Sequence, residues 1–294
     1  RRARRRPGTG PVIAIDTLGV LAGSASPGPV PVSDDELHVL LGMAAVPEVP
    51  VVLMHRHHHD SDTERQVALT RAADGLAARG LVRAGVAHPV IVDRLRTLGR
   101  PAWEIAVRRL HDGAVDRLCL AHGSAEAGVS DAGSRTVTVR AVPGGFVLDD
   151  VDAGSVSPIV QMLGPAEPAR TTGVSLPTAR LSAALNEGAG DGARTTRLLA
   201  EAGVPAAEAA ALGPALGRCS TFAEIVGFRY GDGSTAPAGG PVTVFETTAG
   251  RVVGTSSVAP DGTAWTTLSS GTGGFLRQAL GDLVARLGRD RPDR

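Results

Sequence analysis

The sequence predicts an α+β protein of two duplicated halves, each a set of helices, an antiparallel meander and a closing helix, related by an approximate twofold. Three observations predict it. Segments of helical period, opened by capping residues, give way to runs that alternate every second residue. The same order of elements then recurs further along the chain. Finally, Leu98-Gly99-Arg100 ahead of Glu104-Ile105-Ala106-Val107 is matched by Leu216-Gly217-Arg218 ahead of Glu224-Ile225-Val226-Gly227, a period of about 118 residues, too long for a solenoid repeat. Two subdomains that share or abut their sheets satisfy that period.

Taken in order, residues 1–31 read as a basic, Pro- and Gly-rich leader: Arg1-Arg2-Ala3-Arg4-Arg5-Arg6 and Val12-Ile13-Ala14-Ile15 imitate a secretion signal, but Asp16 interrupts the apolar part. The first half is expected over 32–168. Ser33-Asp34-Asp35-Glu36 has the form of a capping box ahead of Leu37, Leu40 and Leu41. Residues 49–54 read as a short buried strand. Ser61-Asp62-Thr63-Glu64 opens a second helix, ended near Gly80, and Pro89 starts a third with Ile91, Leu95 and Leu98. Strands follow at 103–110, 117–121, 135–142 and 146–151, separated by His-Asp-Gly, Gly-Ser and Pro-Gly-Gly turns, then a helix at 155–163. The second half, 169–288, repeats this with helices in 176–185 and 193–216, strands at 221–230, 242–247, 251–258 and 263–268, and a helix at 273–287. Residues 289–294 are a polar tail.

Composition narrows the function. Acidic and basic residues balance at 30 each, so no overall field draws the chain to nucleic acid or an anionic membrane. Every base is arginine, the mark of a GC-rich coding sequence. Aromatics are 3% of residues, too few for a base-stacking platform. The two cysteines, Cys119 and Cys219, have neither the number nor the spacing of a disulfide framework or zinc site. They read as reduced thiols of a cytoplasmic protein. No apolar run reaches the ~18–20 residues of a membrane helix.

No catalytic motif stands out. His55-Arg56-His57-His58-His59-Asp60 invites a metal assignment, and with Asp60 and Asp62 it supports the competing reading, a metal-dependent hydrolase. Adjacent histidines cannot all aim at one ion from regular structure, Arg56 places a like charge among them, and no H-E-x-x-H pattern completes a site. A polar loop before a capped helix fits better. There is no G-x-S-x-G elbow, and Ser124 to Glu126 fall in a hairpin connection. Ser270-Gly271-Thr272-Gly273-Gly274 lacks the lysine of a phosphate loop and reads as the cap of the last helix, through Thr272 or a neighbouring serine. Neither a cofactor nor a metal is expected.

Several segments, in order, resemble the EspG family of secretion-associated proteins of actinobacterial type VII (ESX) systems. Phe222-Ala223-Glu224-Ile225-Val226-Gly227 is similar to the family's aromatic-x-E-I-V strand, and Glu246-Thr247-Thr248-Ala249-Gly250-Arg251-Val252-Val253 to its D-T-x-x-G-R-hydrophobic hairpin. Leu268-Ser269-Ser270-Gly271-Thr272 resembles the hydrophobic-x-P-G-[ST] approach to the last helix, with Ser270 in place of proline. The Ser33 to Glu36 helix start and Ala78-Arg79-Gly80-Leu81-Val82 are similar but less specific. The resemblance spans about 32–287. It implies a non-catalytic cytosolic chaperone that binds a PE–PPE-like secreted pair. Such a chaperone covers an apolar helical tip, keeps the pair soluble and meets the secretion machinery transiently. Leu110, His111 and Val115 bound a connection that is longer and partner-contacting in many family members; its shortness here points to a different client.

Strand alternation sets the expected faces. Trp103, Ile105 and Val107 should pack under helices, leaving Ala102, Glu104, Ala106, Arg108 and Leu110 toward water. The matching positions in the second half are Phe222, Glu224, Val226, Phe228 and Tyr230. Large apolar groups on a face whose counterpart suits water are either buried by something else in the chain or kept for a partner; the partner reading is preferred, with expected contact residues Phe222, Val226, Phe228 and Tyr230 together with Leu110, His111 and Val115.

Overall fold

In a computed structural model, which describes residues 28–55, 59–123, 134–231 and 234–289, the chain is built on one ten-stranded antiparallel sheet. In chain order the elements are β1 (Val30–Ser33), α1 (Asp34–Ala44), a 3-10 turn (Val51–Leu53), α2 (Asp62–Ala78), the small hairpin β2 (Val82–Arg83) and β3 (Val86–Ala87), and α3 (Pro89–Gly99). Then come β4 (Trp103–His111), β5 (Ala114–His122), β6 (Thr136–Val142), β7 (Gly145–Val151) and α4 (Ser157–Leu163). The rest is β8 (Val174–Pro177), α5 (Thr178–Gly188), α6 (Gly192–Glu201), α7 (Ala206–Gly217), β9 (Thr221–Gly231), β10 (Ser234–Thr247), β11 (Gly250–Val258), β12 (Ala264–Ser270) and α8 (Gly273–Leu287). Strand order across the sheet is β1-β7-β6-β5-β4-β9-β10-β11-β12-β8. Outward from the β4–β9 seam, each side therefore runs through its four meander strands to the strand that precedes its helices. Along the seam Ala106 stands opposite Val226, with Arg108 opposite Glu224 and Glu104 opposite Phe228.

Local signals explain most boundaries. The Ser33–Glu36 capping box closes in both directions, at 3.2 and 2.9 Å, Ser61 accepts from the Glu64 amide, and Thr272 caps α8 through the Phe275 amide. Each such cap contributes about 1 kcal/mol. The β4–β5 connection is a two-residue turn in which Asp112 and Gly113 both take positive φ, the tight hairpin geometry for which Asp-Gly is suited.

Four sequence expectations are corrected. Residues 49–54 form no strand: Pro47 and Pro50 deny ladder donors, and the segment turns through a single 3-10 turn with Val51 85% exposed. Val30 and Pro31, assigned by the sequence to the leader, belong to edge strand β1, paired with Leu148 and Val147 of β7. Leu176 belongs not to a helix but to β8, whose partner is β12. β10 begins at Ser234 rather than at 242; the register with β9 shifts between Ala238 and Val242, where Gly239 and Gly240 take positive φ.

Directly paired residues of an antiparallel sheet point to the same side, and this sorts the core into layers. On one face, α1–α3 cover Cys119, Ala121, Val137, Val139, Phe146 and Leu148, and α5–α7 cover Val174, Leu176, Val252 and Leu268. On the other, α4 and α8 cover Trp103, Ile105, Val107, Leu118, Leu120, Ala223, Ile225, Val242 and Val244. Leu276, Leu280 and Leu283 of α8 are fully buried there, each stabilising by about 1.5–3 kcal/mol. In the α5–α7 layer, a Cβ on Gly213 would stand 2.5 Å from the Thr196 Cα, and one on Gly192 would stand 2.7 Å from the Pro214 Cα. Glycine is what lets α6 and α7 touch backbone to backbone.

Candidate functional site: the open centre of the sheet

The face carrying α1–α3 and α5–α7 is covered at its two ends, and its centre, β4 and β9, lies between these helical groups. The side chains there are arranged in cross-strand rows. One row runs Val115, Leu110, Phe222 and Phe245 over four strands, its two phenyl rings 6.5 Å apart. The next is charged: Arg117, Arg108 and Glu224, with Arg108 and Glu224 ion-paired across the seam. Cys119, Ala106 and Val226 follow, and then Ala121, Glu104, Phe228 and Pro237. Tyr230 closes the end, its amide bonded to the Ala102 carbonyl.

Phe222, Val226 and Phe228 are half-buried and Tyr230 is 36% exposed. Six of the seven expected contact residues therefore share one surface, and the two groups reasoned separately, Leu110 with Val115 and Phe222, meet in a single row. His111 does not join them. By alternation it points to the opposite face, where its Nε2 is 2.9 Å from Asp116.

The centre stays uncovered for a chemical reason. Helices settle where the strands offer continuous Val, Leu and Ile rows, whereas here a charged row crosses the apolar ones. Burying Arg108 and Glu224 under a helix would cost several kcal/mol of desolvation per ion.

Glu104 departs from expectation. Read as water-facing, it is only 4% exposed. The Cys119 thiol lies 3.8 Å from its carboxyl, and the Tyr230 hydroxyl hydrogen-bonds to it. Burial pushes the Glu104 pKa up, offset in part by those two bonds. The same burial, reinforced by the neighbouring carboxyl, raises the pKa of the Cys119 thiol and of the Tyr230 phenol. No sequence signal marks this cluster, because the Tyr230 cover arrives from a strand 126 positions later, across a seam whose register only the fold sets.

The histidine cluster is only partly described. His57 and His58 lie outside the described residues. His55 Nδ1 is 3.5 Å from Asp34 and its ring meets Phe146 edge-on, while His59 is 2.9 Å from Asp35. These contacts tie the loop to the first turn of α1. Among the described residues no three His, Cys, Asp or Glu side chains group as a metal ion would require. Replacing His57, His58 and His59 together by Ala is expected to cost on the order of 1 kcal/mol, the scale of the part-buried His59–Asp35 contact, and to leave metal content after chelation unchanged. Thermal melting and elemental analysis check both.

A groove of about 760 Å³ lies on the other side of the first half, lined by Asp116, Thr138, Arg140, Asp149 and Met162 among others. Its mixed charges contrast with the apolar rows of the open centre. Among the described residues no helix is long and apolar enough to cross a membrane.

The motifs singled out in the second half prove to be fasteners. Arg251 is 3% exposed. Its Nε donates to Glu246 at 2.8 Å, and its guanidinium donates to the Leu163 and Gly164 carbonyls at 3.1 and 2.9 Å, at the end of α4. Its backbone exchanges bonds with Glu167 and Ala169. A Cβ on Gly271 would stand 2.3 Å from the Arg251 Cγ, and one on Gly250 would stand 2.7 Å from the Ala169 nitrogen. The Gly-Arg pair and the later glycine thus hold the end of α4 and the segment after it against β11.

Comparison with known proteins agrees with this architecture. The EspG family profile matches residues 33–282. Among solved structures, the chain is similar to the Mycobacterium tuberculosis type VII secretion system chaperone EspG5, solved in complex with a PE25–PPE41 dimer. The TM-score is 0.71 at 17% identity, covering 90% of this chain and 98% of that one. No curated protein sequence matches. With the family profile spanning most of its length and its fold shared with EspG5, the chain belongs to the EspG family.

Proposed function

We propose that this protein is a cytosolic, non-enzymatic chaperone of a type VII secretion system, which binds a PE–PPE-like pair and keeps it soluble for export. The observation that carries this reading is the open apolar centre of the sheet in a member of the EspG family. The client's apolar helical tip lies across the Val115–Leu110–Phe222 row and over Val226, Phe228 and Tyr230, between the two helical layers. The short β4–β5 turn leaves more of the contact to β9 and its hairpin with β10. The two halves, 32–168 and 169–288, are duplicates related by a twofold at the Ala106–Val226 pair, a reading supported by the mirrored strand order. Affinity capture with the full chain from its native cytosol tests the function: a PE–PPE pair should be the enriched species, and its absence would sink the reading.

A further inference from the structure

Among the described residues, the docking face contains one buried acid with no base facing it. Around Glu104, β5 contributes the Cys119 thiol and Ala121, and β9 contributes Phe228 directly opposite and the Tyr230 hydroxyl. The 3-10 turn that leans on β4 brings only Val51, Val52 and Leu53. The charged residues of the open centre, Arg108, Arg117 and Glu224, stand two rows away, roughly 13 Å along the strand, and Arg108 is already paired with Glu224; Asp150, on the same side of the sheet, is three strands away and paired with Arg94 and Arg135. Tyr230 holds its hydroxyl inward on Glu104 while part of its side chain meets water. What solvation the carboxylate retains therefore enters past Phe228 and Tyr230.

An apolar surface packed over these two rings would remove that water and would supply no positive charge. Desolvation favours the neutral acid. We propose that a client docking on this face binds together with one proton, taken up by Glu104, so that the chain holds its client more tightly as pH falls. Glu104 is then the residue that sets the pH dependence of the complex, and Tyr230, which stabilises the carboxylate by its hydrogen bond, positions the range in which it operates. This coupling rests on the client site proposed above.

The sign follows from linkage: if the bound state carries the extra proton, affinity rises on acidification between the Glu104 pKa of the free protein and that of the complex, by at most tenfold per pH unit. The experiment measures Kd by calorimetry from pH 8 to pH 5.5, using the PE–PPE pair that the wild-type chain captures. The free protein is followed in parallel by ¹³C NMR of its glutamate carboxyls. In the free protein one glutamate signal, missing from Glu104→Gln, should titrate above the others. Wild-type affinity should rise several-fold on acidification, Glu104→Gln should bind tightly with no such slope, and Tyr230→Phe should move the slope to higher pH. Capture with a flat profile, or an unchanged slope in Glu104→Gln, would overturn the coupling alone. Failure of the wild type to hold any pair would remove the site and the coupling together.

Discussion

Phe228→Glu is expected to weaken client capture by at least about 30-fold, the scale of a central contact worth about 2 kcal/mol. Phe228 lies in the open face with Glu104 and Pro237 as its cross-strand neighbours. A carboxylate there would have to be desolvated by the incoming apolar surface, without a partner and beside a second acid. The side chain is half-buried, so the free protein should lose only about 1–2 kcal/mol. Calorimetric or pull-down affinity beside thermal melting separates the two effects. Phe228→Ser, which removes the ring without adding charge, is the companion variant. If both variants unfold, Phe228 is core and the surface must be sought elsewhere. Arg108→Glu is unsuitable as the control, because it would set a carboxylate against Glu224 across the seam. Arg108→Gln breaks only an exposed pair worth about 0–1 kcal/mol and should melt near wild type, with any loss of capture far below that of Phe228→Glu.

Arg251→Ala is expected to lower stability by about 3–5 kcal/mol, the cost of breaking a buried ion pair by removing one partner, a fall in melting temperature on the order of 10 °C. The loss leaves Glu246 and the Leu163 and Gly164 carbonyls without the guanidinium that joins them. Arg251→Met with Glu246→Leu should recover a substantial part of it, since no charge is then stranded. Denaturant melts of the single and double variants test this. Equal stability of Arg251→Ala and wild type would show that the Gly-Arg motif serves something other than this fastening.

These two residues show how differently sequence and fold disclose function. The Gly250-Arg251 and Gly271-Thr272 motifs were visible in the chain, yet their task was not. The carbonyls that Arg251 holds belong to the last residue of α4 and to the glycine that follows it, 88 and 87 residues away, and no local pattern encodes that meeting.

What the sequence determined by itself is whatever local chemistry fixes. The α+β class, the order of helices and meanders, the capping residues Ser33, Ser61 and Thr272, and the Asp112-Gly113 turn were all legible. So was the alternation that puts Trp103, Ile105 and Val107 under helices, because periods of 3.6 and 2 and the capping hydrogen bonds act within a few residues. Edge strands β1 and β8 escaped notice because each is four residues long and carries a proline, Pro31 and Pro177, so their strand character comes from the neighbour they join. Only the tertiary structure decided which strands meet at the seam. That pairing gathered Leu110, Val115 and Phe222 into one row, turned His111 away, and buried Glu104 beneath Tyr230. The cause is that sheet register is set by side-chain packing between segments far apart in the chain, and a residue's exposure follows from what that register brings over it.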